Sequence, residues 1–150
     1  MALRNIVFSD DDRIRKVSKP VRVFDENLDI LLDDMKETMR KNDGVGLAAI
    51  QVGVLKRCIV VEASGQFFEL VNPEIVECSG SQCGVEGCLS VKGITGEVNR
   101  PYKVTVKAQT RYGDNIQITT EGLLSVVLCH EIDHLDGILF TDKMIQEKAQ

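Results

Sequence analysis

Apolar residues recur at helical spacing between Asn27 and Lys41. Leu28, Leu31, Leu32, Met35 and Met39 share one face. Acidic residues come early in this stretch and Arg40-Lys41 come late, which suits the helix dipole. Gly44 follows as a stop signal. The pattern then shortens. Cys58–Glu62, Phe67–Val71 and Glu74–Cys78 are brief runs rich in β-branched or aromatic residues. Ser64-Gly65 and Asn72-Pro73 punctuate them, so three separate strands are expected. Tyr102–Thr110 alternates, with Val104, Val106 and Ala108 opposed to Lys103, Thr105 and Lys107. Gly113-Asp114-Asn115 turns it into Ile116–Thr119, an antiparallel hairpin.

A second helix is expected from about Leu123 to Asp136, capped by Thr119 or Thr120 and ended by Gly137. Ile138-Leu139-Phe140 reads as a short strand before a polar tail. One early helix, a block of strands and one late helix give an α+β fold. No repeat, linker or low-complexity stretch divides the 150 residues, so a single domain over 1–150 is expected.

Composition narrows the class. Net charge is −5 with no basic run, which argues against direct nucleic-acid binding. No apolar run approaches the roughly 20 residues of a membrane span, and Asp10-Asp11-Asp12 follows the N-terminus too soon for a signal or transit segment. The expected address is the cytoplasm. Five cysteines, an odd number, then read as reduced thiols.

The two histidines, His130 and His134, lie four apart in His130-Glu131-Ile132-Asp133-His134. On a helix they share a face and can hold one metal ion. Such an ion lowers the pKa of bound water to about 7, and a neighbouring carboxylate, here Glu131, can accept the proton. A surface helix with two incidental histidines is the alternative. Leu123, Leu124, Val127, Leu128 and Leu135 argue against it, because they place the helix in the core.

A catalytic site of this type takes three protein ligands and keeps one position open. No third histidine exists; Phe140 stands where a longer zinc-protease pattern would put one, and the only downstream glutamate is Glu147 in the tail. The third ligand is therefore expected upstream. Cys129 adjoins His130 and lies about 100° around the helix; Cys58 sits in a core-like run. Cys78, Cys83 and Cys88 remain, and a knuckle using all three stays open. Cys88 stands out because Gly87 before it permits close backbone approach.

Three motifs resemble those of the peptide (polypeptide) deformylase family. They are Gly44-Val45-Gly46-Leu47-Ala48-Ala49-Ile50-Gln51, Glu86-Gly87-Cys88-Leu89-Ser90, and His130-Glu131-Ile132-Asp133-His134-Leu135-Asp136-Gly137, in the family's order. The segments Asp12–Val17 and Lys19–Val21 are similar to its N-terminal region. The resemblance implies antiparallel or mixed β-sheets around a central metal-binding helix, with an N-terminal helix. It implies a divalent metal on Cys88, His130 and His134, with Fe2+ expected and Zn2+ or Ni2+ able to substitute. It implies hydrolysis of the formyl group of N-formylmethionyl nascent peptides. Glu131 would act as base and then acid, and the Gln51 amide and the Leu89 backbone N–H would stabilise the oxyanion.

The same resemblance implies that the substrate backbone pairs as an added strand, with contacts at Val45 and Gly46. Val126 and Val127 share the face of His130 and are expected pocket walls, with plain core packing as the alternative. Glu86 is a further expected substrate-side residue. Arg100 is expected to pair with Asp133 behind the site. Two positions depart from the common pattern: Cys129 replaces the usual glutamine, and Lys92 stands where many members carry proline. Lys92 would leave a loop over Val91–Asn99 flexible. A monomer is expected; the short tail Thr141–Gln150 leaves docking at the ribosome exit region open. The rivals are another metallopeptidase, a hydrolase of other N-acyl groups, and a non-catalytic metal-binding module.

Overall fold

The computed structural model describes residues 2–148. Two α-helices, α1 (Glu26–Lys41) and α2 (Leu123–Leu135), combine with eight strands. The strands are β1 (Gly46–Ala48), β2 (Cys58–Ala63), β3 (Gln66–Ser79), β4 (Gln82–Cys88), β5 (Val91–Arg100), β6 (Lys103–Gln109), β7 (Asn115–Glu121) and β8 (Met144–Lys148). They form a five-stranded sheet ordered β1-β2-β3-β6-β7 and a three-stranded sheet ordered β4-β5-β8. Among the described residues, every pairing between these strands is antiparallel. The architecture is the expected α+β.

Strand β2 explains the layering. Its side chains alternate, and both faces are buried. Cys58 and Val60 pack with Leu28, Leu32, Met35 and Met39 of α1. Ile59 and Val61 pack with Leu124, Val127, Leu128 and Leu135 of α2. The five-stranded sheet therefore lies between the helices. Helix α2 in turn contacts both sheets, since Val91 and Val98 of β5 join the same core.

The segment before α1 staples these layers together. Val7 N–H donates to Gln51 O at 2.7 Å, Ser9 N–H to Ser90 O at 2.8 Å, and Ser18 N–H to Leu135 O at 2.8 Å. Each bond ends within one of the three motifs. Gly137 closes α2 with φ 75°, and a Cβ there would lie 2.2 Å from Arg15 O. Only glycine satisfies both demands.

Several local expectations need correction. Asn72-Pro73 does not separate two strands; β3 runs through it with a register shift between Val71 and Glu74. Pro73 falls in that shift, where a missing N–H costs no ladder bond. Asn72 adopts φ 52° and ties Val21 at both its N–H and its carbonyl. Neither Thr119 nor Thr120 caps α2. Both lie in β7, Gly122 occupies the cap, and Thr120 Oγ1 bonds Ser125 Oγ instead. Residues 91–99 are not a flexible loop but most of β5, which pairs with β4 on one side and, over Thr95–Val98, with β8 on the other. Ile138-Leu139-Phe140 is not a strand: a 3-10 turn spans Phe140–Asp142, and the strand β8 begins at Met144. Side chains beyond Ile145 lie outside the described residues, and so does the tail's reach towards a partner.

Candidate active site

Helix α2 presents His130 and His134 on one face, as the four-residue spacing requires. Strand β4 ends at Cys88, which enters that face from the second sheet. The ligand atoms of Cys88, His130 and His134 lie within 4.8 Å of one another. Cys88 Sγ is 3.3 Å from His134 Nε2. One thiolate and two imidazoles within such a span fit a single divalent ion, and these side chains would hold it. Among the described residues no other group of three potential ligands converges. Cys78 and Cys83 are exposed, so the three-cysteine knuckle is not formed; Cys58 and Cys129 are buried in the core. Burial pushes the Cys58 thiol up to about 12 and that of Cys129 up to about 11.

The two imidazoles differ behind the metal face. His130 Nδ1 is 2.9 Å from Glu86 Oε1. Arg100 grips the same carboxylate with Nε and Nη2, both at 2.9 Å, and donates Nη1 to Asp133 Oδ2 at 2.7 Å. Burial disfavours the charged forms of Glu86 and His130, but the contacts win. Glu86 falls to about 2 through Arg100 and His130, and His130 rises to about 10 through Cys88 and Glu86. His134 is depressed, first by burial and then by the charge of His130, and its Nδ1 has no partner.

Glu131 is 4% exposed, and its Oε1 has no hydrogen-bond partner. Burial raises its carboxyl to about 7 against the pull of His130. A carboxyl poised near neutrality is suited to taking and returning a proton. Gly46 makes room for it: a Cβ at that position would meet Glu131 Oε2 at 2.5 Å.

Gln51 sits in the 3-10 turn Ala49–Val52. Its Oε1 accepts from Ala48 N–H at 2.9 Å, so its amide nitrogen points the other way. That nitrogen reaches Ser90 Oγ at 3.1 Å and Cys88 Sγ at 3.5 Å. Gly44, Val45, Gly46, Gln51, Cys88, Leu89, Val126, Val127, His130 and Glu131 all line one cavity of about 390 Å³. Strand β1 is an edge strand, and Gly44–Gly46 line the cavity beside it. Glu86 also borders the cavity, yet Arg100 and His130 occupy both its oxygens. Glu86 thus lies on the cavity side where a substrate contact is expected, and it also supports the His130 ring. That support carries no periodic signal in the sequence; the clue is a charged residue two positions before Cys88. Arg100 meets Asp133 as expected, and its larger engagement with Glu86 was not foreseen.

A family model described as polypeptide deformylase matches residues 3–150. A peptide deformylase of Acetivibrio thermocellus is 57% identical over 146 residues, covering 97% of this chain and 86% of the relative. The crystal structure of a peptide deformylase from Legionella pneumophila superposes with a TM-score of 0.92 at 49% identity, over 95% of this chain and 86% of that one. That of Thermotoga maritima peptide deformylase gives 0.93 at 39% identity, over 96% and 99%. With motifs, fold and near-complete coverage in agreement, the chain belongs to the polypeptide deformylase family.

Proposed function

We propose that this protein hydrolyses the N-formyl group of nascent formylmethionyl polypeptides, releasing formate and a free N-terminal methionine. The observation that carries the reading is the convergence of Cys88, His130 and His134 at the cavity lined by the buried carboxylate of Glu131, whose Oε1 has no hydrogen-bond partner. Cys88, His130 and His134 would hold a divalent ion, which when bound would supply Lewis acidity and lower the pKa of a water. Glu131 Oε1 takes a proton from the attacking water and later hands it to the departing amine. The Gln51 amide nitrogen, oriented by Ala48 N–H, and the Leu89 backbone N–H stabilise the oxygen of the formyl group as charge develops there.

The edge of β1 accepts the substrate backbone at Val45 and Gly46, an added strand that tolerates varied sequence. Val126 and Val127 wall the slot for the methionine side chain. The whole of 1–150 acts as one catalytic domain. Fe2+ is the proposed physiological ion, with Zn2+ and Ni2+ as substitutes. Action on nascent chains suits a cytoplasmic address and work near the ribosome exit, and the proposed state is a monomer. No helix among the described residues is long and apolar enough to cross a membrane.

The test is formate release from formyl-Met-Ala-Ser by protein purified without oxygen, beside acetyl-Met-Ala-Ser. Turnover of the formyl peptide alone is expected. Equal turnover of the acetyl peptide points to a broader N-acyl hydrolase, and none from metal-loaded protein overturns the reading.

A further inference from the structure

The turn that follows the metal-binding helix reaches His130 by two routes. Phe140, 1% exposed, stacks on the His130 ring with centroids 6.0 Å apart and planes 22° from parallel. Three residues later, Lys143 Nζ lies 3.0 Å from Asp133 Oδ2 and 3.2 Å from Oδ1. Asp133 holds Arg100, Arg100 holds Glu86, and Glu86 holds His130 Nδ1. One stretch of four residues thus bears on the ring's face and, through three charged side chains, on its nitrogen.

We propose that the turn Phe140–Lys143 is a clamp that sets the plane of His130, with Lys143 as a positioning residue for metal retention. The inference rests on His130 being a metal ligand. A ring fixed before the ion arrives loses little freedom on binding, so the ion is held longer. Lys143 matters through charge balance. Arg100 is shared between two carboxylates, Glu86 and Asp133. Lys143 supplies the second cation, so Asp133 does not draw Arg100 away from Glu86. The turn is itself anchored. Arg15 pairs with Asp142 and donates to Gly137 O, and Asp142 Oδ2 accepts from Leu139 N–H at 3.0 Å. The Lys143 side chain is 44% exposed, so replacing it tests the clamp without opening the core.

The experiment loads the full chain with cobalt(II), records its visible absorption, and follows loss of the ion to a chelator. Lys143→Met is expected to release cobalt about two- to fivefold faster, the range of a partly exposed ion pair. Lys143→Arg should restore the wild-type rate. In an Asp133→Asn background the Lys143→Met change should have no further effect. Phe140→Leu, if it folds, should release cobalt about tenfold faster with shifted bands. Cobalt loss from Lys143→Met at the wild-type rate, or an effect that persists undiminished without Asp133, overturns the clamp. Absence of a thiolate–cobalt band in the wild type overturns the metal reading on which the clamp depends.

Discussion

The two helices reach stability by opposite routes. Helix α1 has a cap of its own: the Asp25 carboxylate accepts from Asn27 N–H at 3.1 Å and Leu28 N–H at 3.3 Å. Acidic Glu26 and Asp29 open it and basic Arg40 and Lys41 close it. One apolar stripe is buried and the other face is wet. Helix α2 has no side-chain cap, begins after Gly122 at φ 64°, and buries most of its circumference. Its final carbonyl, Leu135 O, is satisfied from outside, by Ser18 N–H at 2.8 Å and by Arg57 Nη1 at 3.1 Å. Helix α1 depends on its own sequence, whereas α2 depends on its surroundings. That dependence lets α2 carry buried polar groups, because the surrounding layers over-determine its position.

The sharpest way to break this contrast is at Glu131. Glu131→Gln should lower formate release by about 10²- to 10⁴-fold while metal content, measured by elemental analysis, stays near one per chain. A fully active variant would remove Glu131 from the chemistry. Next is Gly46→Ala. Its methyl group would press on the Glu131 carboxylate, so kcat should fall at least about tenfold through misplacement. An unchanged kcat would show that β1 yields easily.

On the other helix, Leu32→Ala should cost about 2–5 kcal/mol in urea unfolding, because Leu32 is fully buried. Asp25→Ala should cost about 0.5–2 kcal/mol. In both, turnover per folded molecule should match the parent. Loss of kcat in either would show that α1 reaches the site.

The smallest expected effect is a pH dependence. Burial opposes ionisation of Asp34, but Ala2 N–H and Arg4 outweigh it and hold the carboxyl below its usual value. The stabilisation is therefore complete above the unfolded value of 3.8 and fades as pH falls through the lower folded value. Asp34→Asn should flatten the acid limb of stability against pH, read by thermal melts. An unaltered limb would deny the pairing.

The same contrast explains what the sequence disclosed. The stripe of α1, the alternation of β6 and the histidine spacing of α2 are periodic, so their bounds are legible to within a residue or two. Strands β4 and β5 are rich in glycine and polar residues, so no alternation marks them; pairing across the sheet makes them strands. The Pro73 irregularity looked like a break because local chemistry does not reveal which ladder bonds a bulge frees. The three residues whose ligand atoms converge, Cys88, His130 and His134, are legible in two of the motifs. The Glu86–Arg100–Asp133 support was only half legible, since a buried ion pair depends on distant strands meeting.

The most direct test of the central claim is X-ray absorption spectroscopy of the protein isolated without oxygen and loaded with zinc. One sulfur neighbour at about 2.3 Å with two imidazole nitrogens at about 2.0–2.1 Å is expected. The sulfur shell should vanish in Cys88→Ala. A wild-type spectrum with no sulfur, or a sulfur shell that survives that substitution, would contradict a cation held jointly by β4 and α2.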